Sequence, residues 1–185
     1  SDILKAIAND IEANPYELIY FLMHEAGKTI HNAMDEIREA IDFLRYYSEE
    51  IIKIHNRDSV LDGPTGEINT LSYSEKGHFL CISPWNFPVA ILIGQISAAL
   101  ACGNRVTVKP SEHTSILGYL VTKKFHEHGV PISALELILG DGTYGDALSN
   151  IESIKGVAFT GSLNTAKKIQ SNLIINHKEI VTLIA

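Results

Sequence analysis

Four short stretches of this sequence set side chains capable of polar chemistry beside prolines or glycines. In Ser83-Pro84-Trp85-Asn86-Phe87-Pro88, two prolines fix φ around an aromatic ring and a carboxamide. A carboxamide aimed in advance can donate to negative charge developing on a carbonyl oxygen, a contact whose loss typically costs about 2.7–4 kcal/mol of barrier. An asparagine that only caps its own loop is the competing reading. In Lys109-Pro110-Ser111-Glu112, an ammonium and a carboxylate three positions apart can embrace a ribose diol, one donating and the other accepting. A pair of surface charges is the alternative there. Phe159-Thr160-Gly161-Ser162 precedes a helix expected from about Asn164, and small residues at a helix start let backbone N–H groups meet a pyrophosphate.

The fourth stretch, Gly140-Asp141-Gly142-Thr143-Tyr144-Gly145, formally matches the G-x-G-x-x-G pattern of dinucleotide sites. It meets half of that pattern, because it follows a strand candidate but has no acidic residue about 20 positions on. Gly142 is therefore read as part of a turn with a peripheral ligand role. Other chemistries find less support. Cys81 and Cys102 both sit in apolar surroundings and read as small buried hydrophobes, not as nucleophiles or disulfide partners. None of the eight histidines forms an H-E-x-x-H pair, and His126 and His128 fall on different helix faces, so no metal site is expected. A G-x-S-x-G serine elbow is also missing.

The elements that must carry these loops follow from periodicity. Over residues 2–54 apolar side chains such as Leu18, Leu22, Ile37, Ile41 and Leu44 recur at helical spacing. This predicts an N-terminal helical hairpin, with Asn14-Pro15 at a helix start, a bend at Gly27-Lys28 and a second helix over about 32–54. The turn signal Asp62-Gly63-Pro64-Thr65-Gly66 and the alternation after it predict a short antiparallel strand extension over 61–76. From Gly77 onward β-rich runs alternate with helical patterns. Strands are expected at 78–82, 105–109, 135–139, 156–159 and 179–184, with helices after Phe87, Thr114, Tyr144 and Asn164, and Thr114 as one helix cap. The expected fold class is thus α/β, a Rossmann-like parallel sheet with flanking helices over 77–185, preceded by a helical segment over 1–60 that packs on it. The four loops would all emerge at the carboxyl ends of strands.

Composition agrees with one ordinary domain plus an appendage: 185 residues, 45% hydrophobic and 20% charged. A formal charge of −7 offers no cationic footprint for nucleic acid or anionic membrane. The longest charge-free apolar run, 89–102, is too short to span a bilayer. Two cysteines in apolar stretches fit a reducing, cytoplasmic setting.

Taken in order, Pro84-Trp85-Asn86-Phe87-Pro88, Lys109-Pro110-Ser111-Glu112 and Phe159-Thr160-Gly161-Ser162 resemble the motifs of the aldehyde dehydrogenase superfamily. Upstream, Glu25-Ala26-Gly27-Lys28-Thr29, the run 38–47 and Leu61-Asp62-Gly63-Pro64-Thr65-Gly66-Glu67 resemble its proline utilisation A branch. That resemblance implies a cysteine thiolate attacking an aldehyde, hydride passing to NAD, and water releasing the acid. It makes Asn86 the oxyanion donor and gives Lys109 and Glu112 the adenosine ribose. Ile82, Ser83, Pro84, Trp85, Ser111, Gly142, Phe159, Thr160, Gly161 and Ser162 join them around the cofactor. The implied reaction is oxidation of L-glutamate γ-semialdehyde to L-glutamate in a homo-oligomeric parent, with a proline dehydrogenase domain in the same polypeptide. Ala166, where the family often has glycine, and Cys102, where alanine is commoner, are mild departures. The nucleophilic cysteine and general-base glutamate are expected beyond Ala185, so an inactive fragment of a longer enzyme is expected. An aldehyde dehydrogenase of other substrate range and a non-catalytic assembly module are the remaining readings.

Overall fold

The computed structural model describes residues 1–56, 59–176 and 182–184. Three helices open the chain: α1 (Asp2–Ala13), α2 (Tyr16–His24) and α3 (Ile30–His55). The expected two-helix hairpin is corrected to three elements, because Asn14-Pro15 ends one helix as well as starting the next. Pro15 has no N–H with which to continue the ladder of α1. Leu4, Ile7, Ala8 and Ile11 of α1 and Ala33, Ile37, Ala40, Ile41 and Leu44 of α3 form the apolar stripes. Thr29 caps α3 by accepting from the Asn32 N–H at 3.3 Å.

Strands β1 (Ser59–Asp62) and β2 (Ile68–Leu71) pair antiparallel about the Gly63-Pro64 turn, as the turn residues predict. The main sheet holds β3 (His78–Ile82), β4 (Arg105–Lys109), β5 (Leu135–Leu137), β6 (Ile154–Phe159) and β7 (Thr182–Ile184), all parallel in the order β5-β4-β3-β6-β7. The α/β class stands, and β3 and β4 have the bounds read from sequence. Strand β5 stops two residues short of its expected end, and β6 begins two residues early. The part of the last expected strand over 179–181 lies outside the described residues.

The crossovers are α4 (Ala90–Ala101), α5 (Ser115–Glu127), α6 (Gly142–Ser149) and α7 (Leu163–Asn176). Helix α6 starts before Tyr144, because the Asp141 side chain caps it by accepting from the Thr143 N–H at 2.9 Å. The glycine-rich stretch is thus a helix start instead of a free turn. Thr114 precedes α5 but provides no side-chain cap. That role falls to Glu25 at the end of α2, whose two carboxylate oxygens accept from the N–H groups of Ile116 at 2.8 Å and Leu117 at 2.9 Å.

One core spans α1 to α5 and the strands β3 to β5, and a smaller one lies between β3, β6 and α7. Cys81 is buried as expected, whereas Cys102, just past the last turn of α4, is exposed. An apolar neighbourhood in sequence does not bury a residue at the point where its helix leaves the core. Among the described residues, no helix is long and apolar enough to cross a membrane.

Candidate functional site

Counting only the strands of the main sheet, their order is 3-2-1-4-5, so the connections reverse direction between β3 and β6. Ligands of open α/β sheets bind outside the carboxyl ends of strands at such a reversal. Here a cleft of about 540 Å³ opens at that place. Ile82, Ser83, Pro84, Trp85 and Asn86 line it from the end of β3, and Lys109, Ser111 and Glu112 from the end of β4. Gly142 reaches it from α6, and Phe159, Thr160, Gly161 and Ser162 reach it from the end of β6. Thirteen positions singled out in four separate loops therefore share one cavity.

The loops are tied to one another through the backbone. Ser83 N–H donates to the Lys109 carbonyl at 3.4 Å, and Thr160 N–H donates to the Ile82 carbonyl at 3.1 Å. Gln95 of α4 adds a side-chain tie, its amide donating to the Ile82 carbonyl at 3.2 Å and to Thr160 Oγ1 at 3.4 Å. Lys109 is 4% exposed, which removes the surface-charge reading for the ammonium. Its Nζ donates to the Pro110 carbonyl at 3.2 Å and stands 3.7 Å from Glu112 Oε2. That separation is an ion pair too long for a hydrogen bond, so both groups keep capacity for a hydroxylated ligand.

Ser83 is buried, and its hydroxyl has no partner among the described residues. A buried hydroxyl without a partner is costly, and it marks a place for a polar ligand. Ser111 Oγ accepts from the His113 N–H at 3.3 Å and shapes the tight turn before α5. Ser162 Oγ accepts from the Thr165 N–H at 3.2 Å, which places it as the cap of α7 and brings that helix's positive end to the cleft. Hydrogen bonds from Thr143 hold the Asp141 carboxyl below the usual carboxylate range. Asn86 is exposed and makes no side-chain hydrogen bond among the described residues, so the loop-capping reading has no bond to rest on.

The sequence pattern of the aldehyde dehydrogenase family matches residues 1–183. The chain belongs to the aldehyde dehydrogenase family. It is similar to the bifunctional protein PutA of Klebsiella aerogenes, at 41% identity over 172 residues that cover 92% of this chain and 12% of that protein. It is 36% identical over 170 residues to the 1-pyrroline-5-carboxylate dehydrogenase of Geobacillus thermodenitrificans, covering 91% of this chain and 33% of that one. Among solved structures, proline utilization A with proline bound in remote sites superposes with a TM-score of 0.96 at 43% identity, covering 99% of this chain and 19% of that one. The chain thus spans a third or less of each of these three relatives.

In this aldehyde dehydrogenase family member the residues that could hold a dinucleotide are a buried ammonium that donates, a carboxylate that accepts, an unpartnered serine hydroxyl and a capped helix start. The cleft also includes Gly145, the last glycine of the 140–145 stretch, and Ile91, Asp146, Thr165 and Ile169, which sequence reading missed. Thr165 and Ile169 follow Ser162 at helical spacing, a signal that could have found them. Asp146 is one residue past the glycine pattern and pairs with Lys168 of α7. Gly145 lies beside the Lys109 stem, where an added Cβ would come 3.6 Å from Cδ.

Proposed function

We propose that this chain forms the NAD-binding part of an aldehyde dehydrogenase that oxidises L-glutamate γ-semialdehyde to L-glutamate. The convergence of four loops on one cleft at the sheet reversal carries this reading. Similarity to the PutA and 1-pyrroline-5-carboxylate dehydrogenase relatives directs it to that substrate. Lys109 and Glu112 would hold ribose hydroxyls, the ammonium donating and the carboxylate accepting. The α7 start with Gly161 and Ser162 would face the phosphates, and Ser83 and Trp85 would line the remaining wall. When bound, NAD supplies the hydride acceptor. Asn86, whose amide is free, would donate to the oxygen that gains charge as the carbonyl carbon is attacked.

Neither cysteine of the chain suits the nucleophile. Cys81 lies inside β3 with its thiol pushed up to about 12 by burial, and Cys102 lines a different cavity. The attacking thiolate would come from elsewhere in the enzyme. We place residues 1–60 as a supporting helical segment, 61–76 as an extension that pairs subunits, and 77–185 as the cofactor domain. The parent enzyme would be cytoplasmic and homo-oligomeric, with a proline dehydrogenase domain in the same polypeptide.

Trp85 is the one tryptophan and it lines the cleft, so its fluorescence reports ligand entry. Titration with NAD is expected to change that fluorescence saturably. The full-length protein should form NADH from L-glutamate γ-semialdehyde with higher kcat/KM than from neutral aldehydes. A flat NAD titration would remove the cofactor role. Preference for a neutral aldehyde would keep the cofactor role and remove the proposed substrate.

A further inference from the structure

Two charged residues of the helical layer hold the loop of Asn86 without lining the cleft. Glu36 of α3 is 1% exposed. Its Oε1 accepts from the backbone N–H groups of Val89 at 2.7 Å and Ala90 at 3.1 Å. These open α4, a helix whose N-cap residue, Val89, supplies no side-chain cap. Glu36 Oε2 forms an ion pair with Lys28 Nζ at 2.5 Å, and that ammonium sits 3.9 Å from the centroid of the Phe87 ring. A charge at that distance over an aromatic face is attracted to it. One carboxylate and one ammonium therefore grip the residue directly after Asn86 and the helix start three positions beyond it. The prolines at 84 and 88 restrict the loop internally but do not determine where it sits against the rest of the fold. The α3 helix does so through Glu36, and the turn just before it does so through Lys28.

We propose that Glu36 and Lys28 are positioning residues for Asn86, holding its amide in register with the reacting carbonyl oxygen from outside the cleft. The proposal rests on the reading of Asn86 as oxyanion donor. Glu36→Gln keeps a carbonyl oxygen for the Val89 and Ala90 N–H groups but removes the charge that holds Lys28 over Phe87. Misplacement of a reacting group by about 1 Å costs on the order of 100-fold in rate.

The experiment measures kcat, KM for NAD and melting temperature in the full-length enzyme for Glu36→Gln, Asn86→Ala and the double variant. Glu36→Gln is expected to lower kcat about 10- to 100-fold, with KM for NAD held within about twofold. In the Asn86→Ala background it should add less than about twofold, because two residues acting through one contact are not additive. Equal factors in both backgrounds, or an unchanged kcat, would overturn the positioning role while leaving Asn86 in place. An unchanged kcat in Asn86→Ala alone would remove the oxyanion assignment, and the positioning role with it. Lys28→Met, at the more accessible end of the pair, carries the same cycle should Glu36→Gln not fold. It is expected to show the same non-additivity with a smaller loss.

Discussion

Lys109 and Glu112 share one ion pair but differ in their access to water, at 5% and 46% side-chain exposure. The buried ammonium is fixed in place, and in the proposed NAD site the half-exposed carboxylate would set the charge that an incoming ribose meets. A 2′-phosphate there would face Glu112. Two unit charges about 4 Å apart near a protein surface interact by about 4 kcal/mol, and exposure of Glu112 together with the nearby ammonium reduces this. We expect NAD to be preferred over NADP by about 100-fold in kcat/KM, about 2.7 kcal/mol, and Glu112→Gln to relax the preference. Parity of the two cofactors in the unmutated enzyme would exclude Glu112 from the ribose site. The two thiols differ in the same manner. Burial disfavours the thiolate, so it raises both groups, Cys81 to about 12 and Cys102 by less. Only the thiolate is alkylated, so the rate at Cys102 should rise with pH to a midpoint above the ordinary thiol value. Cys81 should stay unmodified in the folded chain. Peptide mapping after iodoacetamide treatment across a pH series checks both, and a Cys102 midpoint at or below that of a free thiol would contradict the shielding.

At the scale of elements, the loop after β4 is seated by a packing contact with the helix that follows it. Gly118 of α5 lies under Pro110, and an added Cβ would come 2.3 Å from the proline Cγ. Gly118→Ala must displace Pro110, which stands between Lys109 and Ser111. Overpacking of this kind costs about 1–3 kcal/mol, and the shift should also weaken NAD binding in the Trp85 titration. A lowered melting temperature with unchanged NAD affinity would show that the loop does not depend on this seat. Contacts of this kind explain what was legible in the sequence. Strands β3 and β4 were read to the residue because their apolar runs are bounded by Gly77, Asn104 and Pro110. The four cleft loops were legible as strand-end loops of an α/β sheet, whereas most of the individual residues in them came from the resemblance to aldehyde dehydrogenase motifs. The caps supplied by Glu25 and Glu36 were not, since they join residues 91 and 53 positions apart and leave no local spacing. Asn14-Pro15 was read as one boundary where it is two, and Tyr144 obscured a helix that Asp141 had already started.

For the whole molecule, the sheet divides two cores of unequal size. On one side, among the described residues, 26 buried apolar residues run continuously from Leu4 of α1 through α3 and α4 to Leu135 of β5. On the other, among the described residues, seven link β3 and β6 to Ile169 and Leu173 of α7. Local stability follows buried apolar contact, so the two sides should open with different free energies. The helical layer and α4 should exchange their amide hydrogens only through global unfolding, because Asp10 of α1 pairs with Lys124 of α5 at 2.7 Å and Glu36 of α3 caps α4. Helix α7 should exchange through a smaller opening. The cleft draws Phe159, Thr165 and Ile169 from this weaker side, so a bound dinucleotide would reinforce the part of the fold that the protein itself holds least firmly. A ligand at 100 times its dissociation constant stabilises the state it binds by about 2.7 kcal/mol. Native-state hydrogen exchange should therefore show the α7 amides slowing by up to about 100-fold on NAD addition, towards the protection that α3 already has. Equal exchange in α3 and α7 without NAD would show that the two cores open as one. Protection arising first in α1 would place the ligand on the other side of the sheet.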